Sequence, residues 1–272
     1  MQSLAAEIVA SGFQFLEGPV WVPARNELLF SDIPASRIHR YSPAADSCNV
    51  FREPSGQANG NALDPQGRLV TCEHENRRVS RTEPDGTVVS LATHYEGKRL
   101  NSPNDVVCKS DGSVCFSDPP YGVKPELREL DFQGVFRASS DGKALTVLAR
   151  DFVKPNGLAF SPDEKILYIA DTELGHIRAF DVNADGSIAN SRVFCNVERP
   201  DGFRVDAEGS LYICAMKSVE IFDRTGKKRG DIILPERPAN VAFGDPDRQT
   251  LYICARTSLY RARINVPGVR MP

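Results

Sequence analysis

The stretch Asn156-Gly-Leu-Ala-Phe-Ser-Pro-Asp-Glu-Lys-Ile-Leu-Tyr-Ile-Ala-Asp171 decides the fold. A polar residue opens a short apolar run, Ser161-Pro-Asp-Glu164 supplies turn chemistry, and a second apolar run closes on a carboxylate. Two strands joined by a tight turn are the simplest reading. The plan recurs from Glu17, Asn59, Asn104, Asp201 and Ala239, so the six units start at intervals of 42, 45, 52, 45 and 38 residues. Their second runs include Leu28-Leu-Phe-Ser-Asp32, Val114-Cys-Phe-Ser-Asp118 and Leu251-Tyr-Ile-Cys-Ala255. A third strand often follows, as in His176-Ile-Arg-Ala-Phe180, and a fourth fits most units, as in Val88-Val-Ser-Leu91. Four strands in about 45 residues, six times over, predict an all-β fold. It is a six-bladed β-propeller with four-stranded antiparallel blades around a central channel. Residues 1–272 read as a single domain, and the segment before Glu17 is expected to add an outer strand to the last blade and close the ring. Two β-sandwiches are the rival, and the regular period without a linker counts against them.

The composition agrees. The 272 residues are 41% hydrophobic and 25% charged, ordinary for a folded globular chain. The formal charge of −3, with Lys227-Lys228-Arg229 as the longest basic run, argues against a nucleic-acid partner. No apolar run approaches the ~18 residues of a membrane span. Leu4–Ala10 is short, broken by Glu7 and without a basic start, so it is a poor signal peptide. The seven cysteines are odd in number and form no CxxC pair, which suits buried thiols in a reducing cytoplasm. Oligomeric state is left open.

The register also points to a site. Residues that open the first strand or close the second are expected at the same face of the channel, in two nested rings. The first ring is Glu17, Asn59, Asn104, Asn156, Asp201 and Ala239; the second is Asp32, Glu73, Asp118, Asp171, Ala215 and Ala255. Partners are separated by 15, 14, 14, 15, 14 and 16 residues. The first ring holds two carboxylates and three amides. Carboxylates crowded at a channel mouth repel, and a divalent cation offsets that repulsion. A hard-oxygen shell favours Ca2+, with Mg2+, Mn2+ or Zn2+ as alternatives. Taken singly, Asn and Asp at strand starts are ordinary turn residues; five polar positions in register are harder to assign to turns alone. Of the four histidines, His74 alone closes a second strand, where either the mouth or the core would suit it. No Gly-x-Ser-x-Gly elbow, phosphate loop or dinucleotide fingerprint is present.

Five motifs carry a resemblance. Phe15-Leu-Glu-Gly-Pro-Val-Trp21, Leu100-Asn-Ser-Pro-Asn-Asp-Val106, Phe116-Ser-Asp-Pro-Pro-Tyr-Gly122, Pro155-Asn-Gly-Leu-Ala-Phe-Ser-Pro-Asp163 and Pro200-Asp-Gly202 resemble the gluconolactonase, senescence-marker-protein and regucalcin family. The resemblance implies a metal-dependent hydrolase that opens sugar lactones to aldonic acids. Other esters on the same metal site, or a non-catalytic binding propeller, are the alternatives. It implies Glu17, Asn156 and Asp201 as ligands of one divalent ion, Asn104 as a further ligand or substrate contact, and Asp201 as the acid–base residue. It places Asn101, Asp118 and Tyr121 near a small-molecule lactone. Specificity is expected in the loops 93–100 and 119–131.

Overall fold

The computed structural model describes residues 2–269. Six sheets form the blades, each with four antiparallel strands, and the fifth carries one further strand at its edge. Their innermost strands are Leu16–Val22, Ala58–Leu63, Val106–Cys108, Pro155–Phe160, Phe203–Val205 and Pro238–Gly244. The fourth blade shows the plan: Pro155–Phe160 pairs with Ile166–Asp171, that with His176–Val182, and that with Ile188–Asn196. Asp and Gly make the turns. Asp64 accepts from the backbone N–H groups of Gln66 and Arg68 at 3.0 and 2.9 Å, and Gly67 adopts a φ of +75°. Asp206 repeats this with Glu208 and Ser210.

The N-terminal segment closes the ring. Glu7–Ser11 is the outer strand of the sixth blade, antiparallel to Ser258–Arg263. Gln2–Leu4 runs parallel to Lys228–Ile233 at the edge of the fifth blade. The second interval ends in a short hairpin, His94–Tyr95 with Lys98–Arg99, and the long third interval holds a 3-10 turn at Pro125–Leu127. No α-helix occurs among the described residues, and no helix is long and apolar enough to cross a membrane.

Apolar side chains pack between neighbouring blades. Phe116 and Phe136 meet Val70 and Val79 between the second and third, and Trp21 stacks on Tyr252 between the first and sixth at 5.9 Å. All seven cysteines are free and six are buried, so they serve as small apolar residues.

The inner strands approach one another closely around the channel. Gly60 N–H donates to the Asn104 carbonyl and Gly202 N–H to the Ala239 carbonyl, both at 2.8 Å. A Cβ on Gly157 would lie 2.4 Å from the Asp201 carbonyl oxygen and 2.8 Å from the Gly202 Cα. Backbone on both counts, these neighbours cannot swing aside as a side chain would. Gly157→Ala is therefore expected to lower stability by about 1–3 kcal/mol and to move Asn156 away from Asp201. Thermal unfolding checks the first effect and divalent-ion titration the second; a variant equal to wild type in both would show that the strands have slack.

Candidate functional site

All six residues of the first ring line one cavity of about 240 Å3 at a mouth of the channel. Glu17 and Asp201 bring carboxylates, and Asn59, Asn104 and Asn156 bring amides. The amides form a directed chain. Asn59 Nδ2 donates to Asn104 Oδ1 at 2.6 Å, Asn104 Nδ2 to Asn156 Oδ1 at 2.7 Å, and Asn156 Nδ2 to Thr172 Oγ1 at 3.0 Å. Thr172 in turn donates to the Pro200 carbonyl beside Asp201 at 2.7 Å. The other end meets His74, whose Nε2 lies 3.1 Å from Asn59 Nδ2. Burial pushes the His74 pKa down to about 4. The ring is therefore neutral, and with Asn59 donating, Nε2 accepts and Nδ1 carries the proton.

Glu17 is held from below. Its Oε2 accepts from Gly18 N–H at 2.8 Å and from Asn240 Nδ2 at 3.0 Å, so both of these bonds fall on one oxygen. Asn240 Nδ2 also lies 3.4 Å from Asp105 Oδ2, and Asp105 pairs with Arg204 at 3.5 Å. Glu17, Asn240, Asp105 and Arg204 thus fill the channel beneath the cavity. Burial raises the Glu17 pKa well above the usual carboxylate range, and the charges of Asp201 and Asp105 add to it. Burial raises Asp201 as well, against the pull of Arg237, whose Nη2 lies 3.4 Å from Asp201 Oδ2. Tyr121 comes in from the 119–131 loop. Its hydroxyl lies 3.4 Å from Asn156 Nδ2, and burial with the Asp201 charge pushes its pKa up to about 12, so it stays protonated.

These donors suit a divalent ion. The buried Glu17 and the partly buried Asp201 disfavour each other's charge, the amide oxygens of Asn104 and Asn156 each keep a lone pair beyond their single hydrogen bond, and Asn59 Oδ1 is buried without a partner among the described residues. The set is hard oxygen. Among the described residues no three His, Cys, Asp or Glu side chains converge as a metal cluster, so any ion here depends on the asparagines.

The second ring does not reach the cavity. Asp32 accepts from Gln14 and Phe15 N–H, both at 3.0 Å; Asp171 from Val153 and Lys154 N–H; Asp118 Oδ2 from Asn101 N–H at 2.7 Å. Each clamps the backbone that leads into its own blade's innermost strand. Glu73 is bound by Arg78, Ser80 and Asn76. Successive strand residues face opposite ways. The next residues along, Ile33, His74, Thr172 and Arg256, are the ones that line the cavity. Asn101 likewise lies outside it, its amide donating to the carbonyls of Asp118 and Phe132. Of the residues expected near a lactone, the structure brings Asn104 and Tyr121 to the mouth, but not Asn101 or Asp118. Residue-by-residue reading of the sequence missed Arg199, Arg237 and Arg256.

An all-β propeller with acid and amide groups gathered at one channel mouth defines the class. The chain belongs to the SMP-30/Gluconolactonase/LRE-like family, whose model matches residues 15–257. It is 33% identical to a gluconolactonase of Zymomonas mobilis, over 98% of this chain and 83% of that one. A pentonolactonase of Haloferax volcanii is 29% identical, over 90% and 83%. A solved gluconolactonase structure from Xanthomonas campestris superposes with a TM-score of 0.89 and 36% identity, over 96% of this chain and 89% of that one.

Asp118 provides a test of the clamp. Burial pushes its pKa from 3.8 up to about 7, and Oδ1 has no partner among the described residues. The folded protein then holds a proton that the unfolded chain releases. That contribution to stability is complete below about pH 4 and is lost as pH rises through 7, at up to about 1.4 kcal/mol per pH unit. Asp118→Asn should remove this slope. Urea unfolding from pH 4 to 8 should show the variant gaining on wild type as pH rises; parallel curves would show that Asp118 does not titrate there.

Proposed function

We propose that this lactonase opens sugar lactones to aldonic acids at the first-ring cavity, with one divalent ion bound there, Ca2+ being the first choice. The whole chain, 1–272, acts as one propeller domain. The carrying observation is the convergence of Glu17, Asn104, Asn156 and Asp201 on one cavity, joined by a directed chain of amides. Gluconolactonase and pentonolactonase relatives, each matched over 83% of its length, support the reaction class.

Glu17, Asp201, Asn156 and Asn104 would hold the ion. When bound, it supplies Lewis acidity toward the lactone carbonyl and charge to match the oxygen that becomes negative. Asp201 takes a proton from the attacking water and returns it to the ring oxygen. The water oxygen bonds to the acyl carbon and the ring C–O bond breaks. The remaining water proton leaves as the aldonic acid ionises. Arg237 keeps Asp201 oriented from the side, and Asn240 keeps Glu17 in place from beneath. Asn104 and the Tyr121 hydroxyl are placed to bind substrate hydroxyls. Asn101 and Asp118 act one step back, by fixing the segment that carries Asn104.

The assay is hydrolysis of D-glucono-δ-lactone followed with a pH indicator, before and after chelation with EDTA. Chelation should abolish turnover above the spontaneous rate, and one added ion should restore it. Asp201→Asn and Glu17→Gln should lower kcat/KM by roughly 100- to 10,000-fold and weaken ion binding by calorimetry. Wild-type turnover in either variant would remove that residue from the mechanism. No turnover with any ion, across a panel of lactones and esters, would leave a binding propeller.

A further inference from the structure

The cavity has two unlike sides. Phe15, Ile33 and Tyr121 form an uncharged side. Arg199, Arg237 and Arg256, from the fifth and sixth blades, form the other. Countercharge for the buried carboxylates explains one of the three arginines. Arg237 reaches Asp201 at 3.4 Å. Arg199 pairs instead with Glu173 at 3.4 Å, both side chains nearly half exposed. Such a surface pair is weak and readily exchanged. Arg256 has no carboxylate within 4.0 Å among the described residues. A divalent ion on Glu17 and Asp201 would reduce the need for countercharge further.

The chemistry of the guanidinium narrows what this side can bind. It donates five N–H bonds and accepts none. A sugar hydroxyl both donates and accepts, and is served better by amides such as Asn104. A carboxylate or phosphate only accepts, and it matches the planar fork.

We propose that the arginine side of the mouth, through Arg256 and Arg199, binds an anionic group on the substrate. The preferred substrates are then lactones that carry a carboxylate or a phosphate remote from the ring ester. This rests on the lactonase reading above and adds the substrate class. The uncharged side fixes which way round the lactone lies.

The test compares kcat/KM for three lactones on the metal-loaded enzyme: D-glucono-δ-lactone, its ester with phosphate on the terminal hydroxyl, and the lactone of D-glucaric acid. At least one of the two anionic lactones should be favoured by roughly tenfold or more. The two arms decide between phosphate and carboxylate. The preference should shrink as salt rises. Arg256→Ala should cut the ratio of anionic to neutral kcat/KM about tenfold, and Arg256→Lys should restore part of it; loss of fold would lower both rates and leave the ratio unchanged. Calorimetry with D-gluconate and with gluconate phosphorylated on its terminal hydroxyl gives a second readout, in which the phosphorylated acid should bind more tightly and lose that advantage in Arg256→Ala.

Neutral lactone opened as fast as both anionic ones, with a ratio indifferent to Arg256, would overturn the inference and leave the lactonase reading standing. No lactone opened, with the phosphorylated acid still bound through Arg256, would remove the lactonase reading and keep the anion site. Failure of both readouts removes both.

Discussion

Three carboxylates, the buried Glu17 and Asp105 and the partly buried Asp201, surround one channel, and the arrangement of the channel follows from accommodating them. Burial and mutual repulsion raise the pKa of Glu17, and its neighbours offset only part of that. Arg204 neutralises Asp105 from below and Arg237 approaches Asp201 from the side. Asn240 sits between Glu17 and Asp105 and offers its amide to both. Among the described residues, Glu17 alone of the three has no cation within salt-bridge distance. This imbalance is a strong physical argument for a divalent ion at the mouth, because an uncompensated buried carboxylate is otherwise held neutral or costs stability.

The ring of blades makes such crowding tolerable. Closure by Glu7–Ser11 completes the sixth blade's four antiparallel strands, and apolar contacts between blades resist spreading. The inner strands are then close enough for the Gly60 and Gly202 N–H groups to bond carbonyls of the next blade. Residues one position earlier, Asn59 and Asp201, are therefore held at nearly fixed separations. The amide chain from Asn59 to Thr172 adds direction to that spacing, since a neutral His74 at one end and a carbonyl acceptor at the other leave one consistent set of donors.

Much of this is legible in the sequence. The period of the apolar runs gives the blades, and the phase of each run gives Glu17, Asn59, Asn104, Asn156, Asp201 and Ala239 together. Phase was insufficient for the second ring. Asp32, Asp118 and Asp171 stand at equivalent positions, but conserving a position within a repeat says nothing about which face it takes. The carboxylate is needed there because backbone N–H groups ahead of the inner strand have no strand partner to bond, two of them at Asp32 and at Asp171 and one at Asp118. Moving one residue along turns the side chain to the other face, and the cavity is lined by Ile33, His74, Thr172 and Arg256 instead.

The arginines were hidden for a related reason. A lone arginine before a strand looks like any solvated residue. Set in register, the residues two before each first-ring position read Phe15, Gln57, Ser102, Lys154, Arg199 and Arg237. Three successive blades carry a cation there, and the residue after the sixth blade's second strand, Arg256, extends the same side. The positive charge is thus confined to half the mouth, while the residues with acid and amide chemistry run around five of its six blades. A repeat that holds its ligands by symmetry can distinguish one end of a substrate from the other only where the symmetry is broken. Here the break is electrostatic, with arginines on one side and Phe15, Ile33 and Tyr121 on the other.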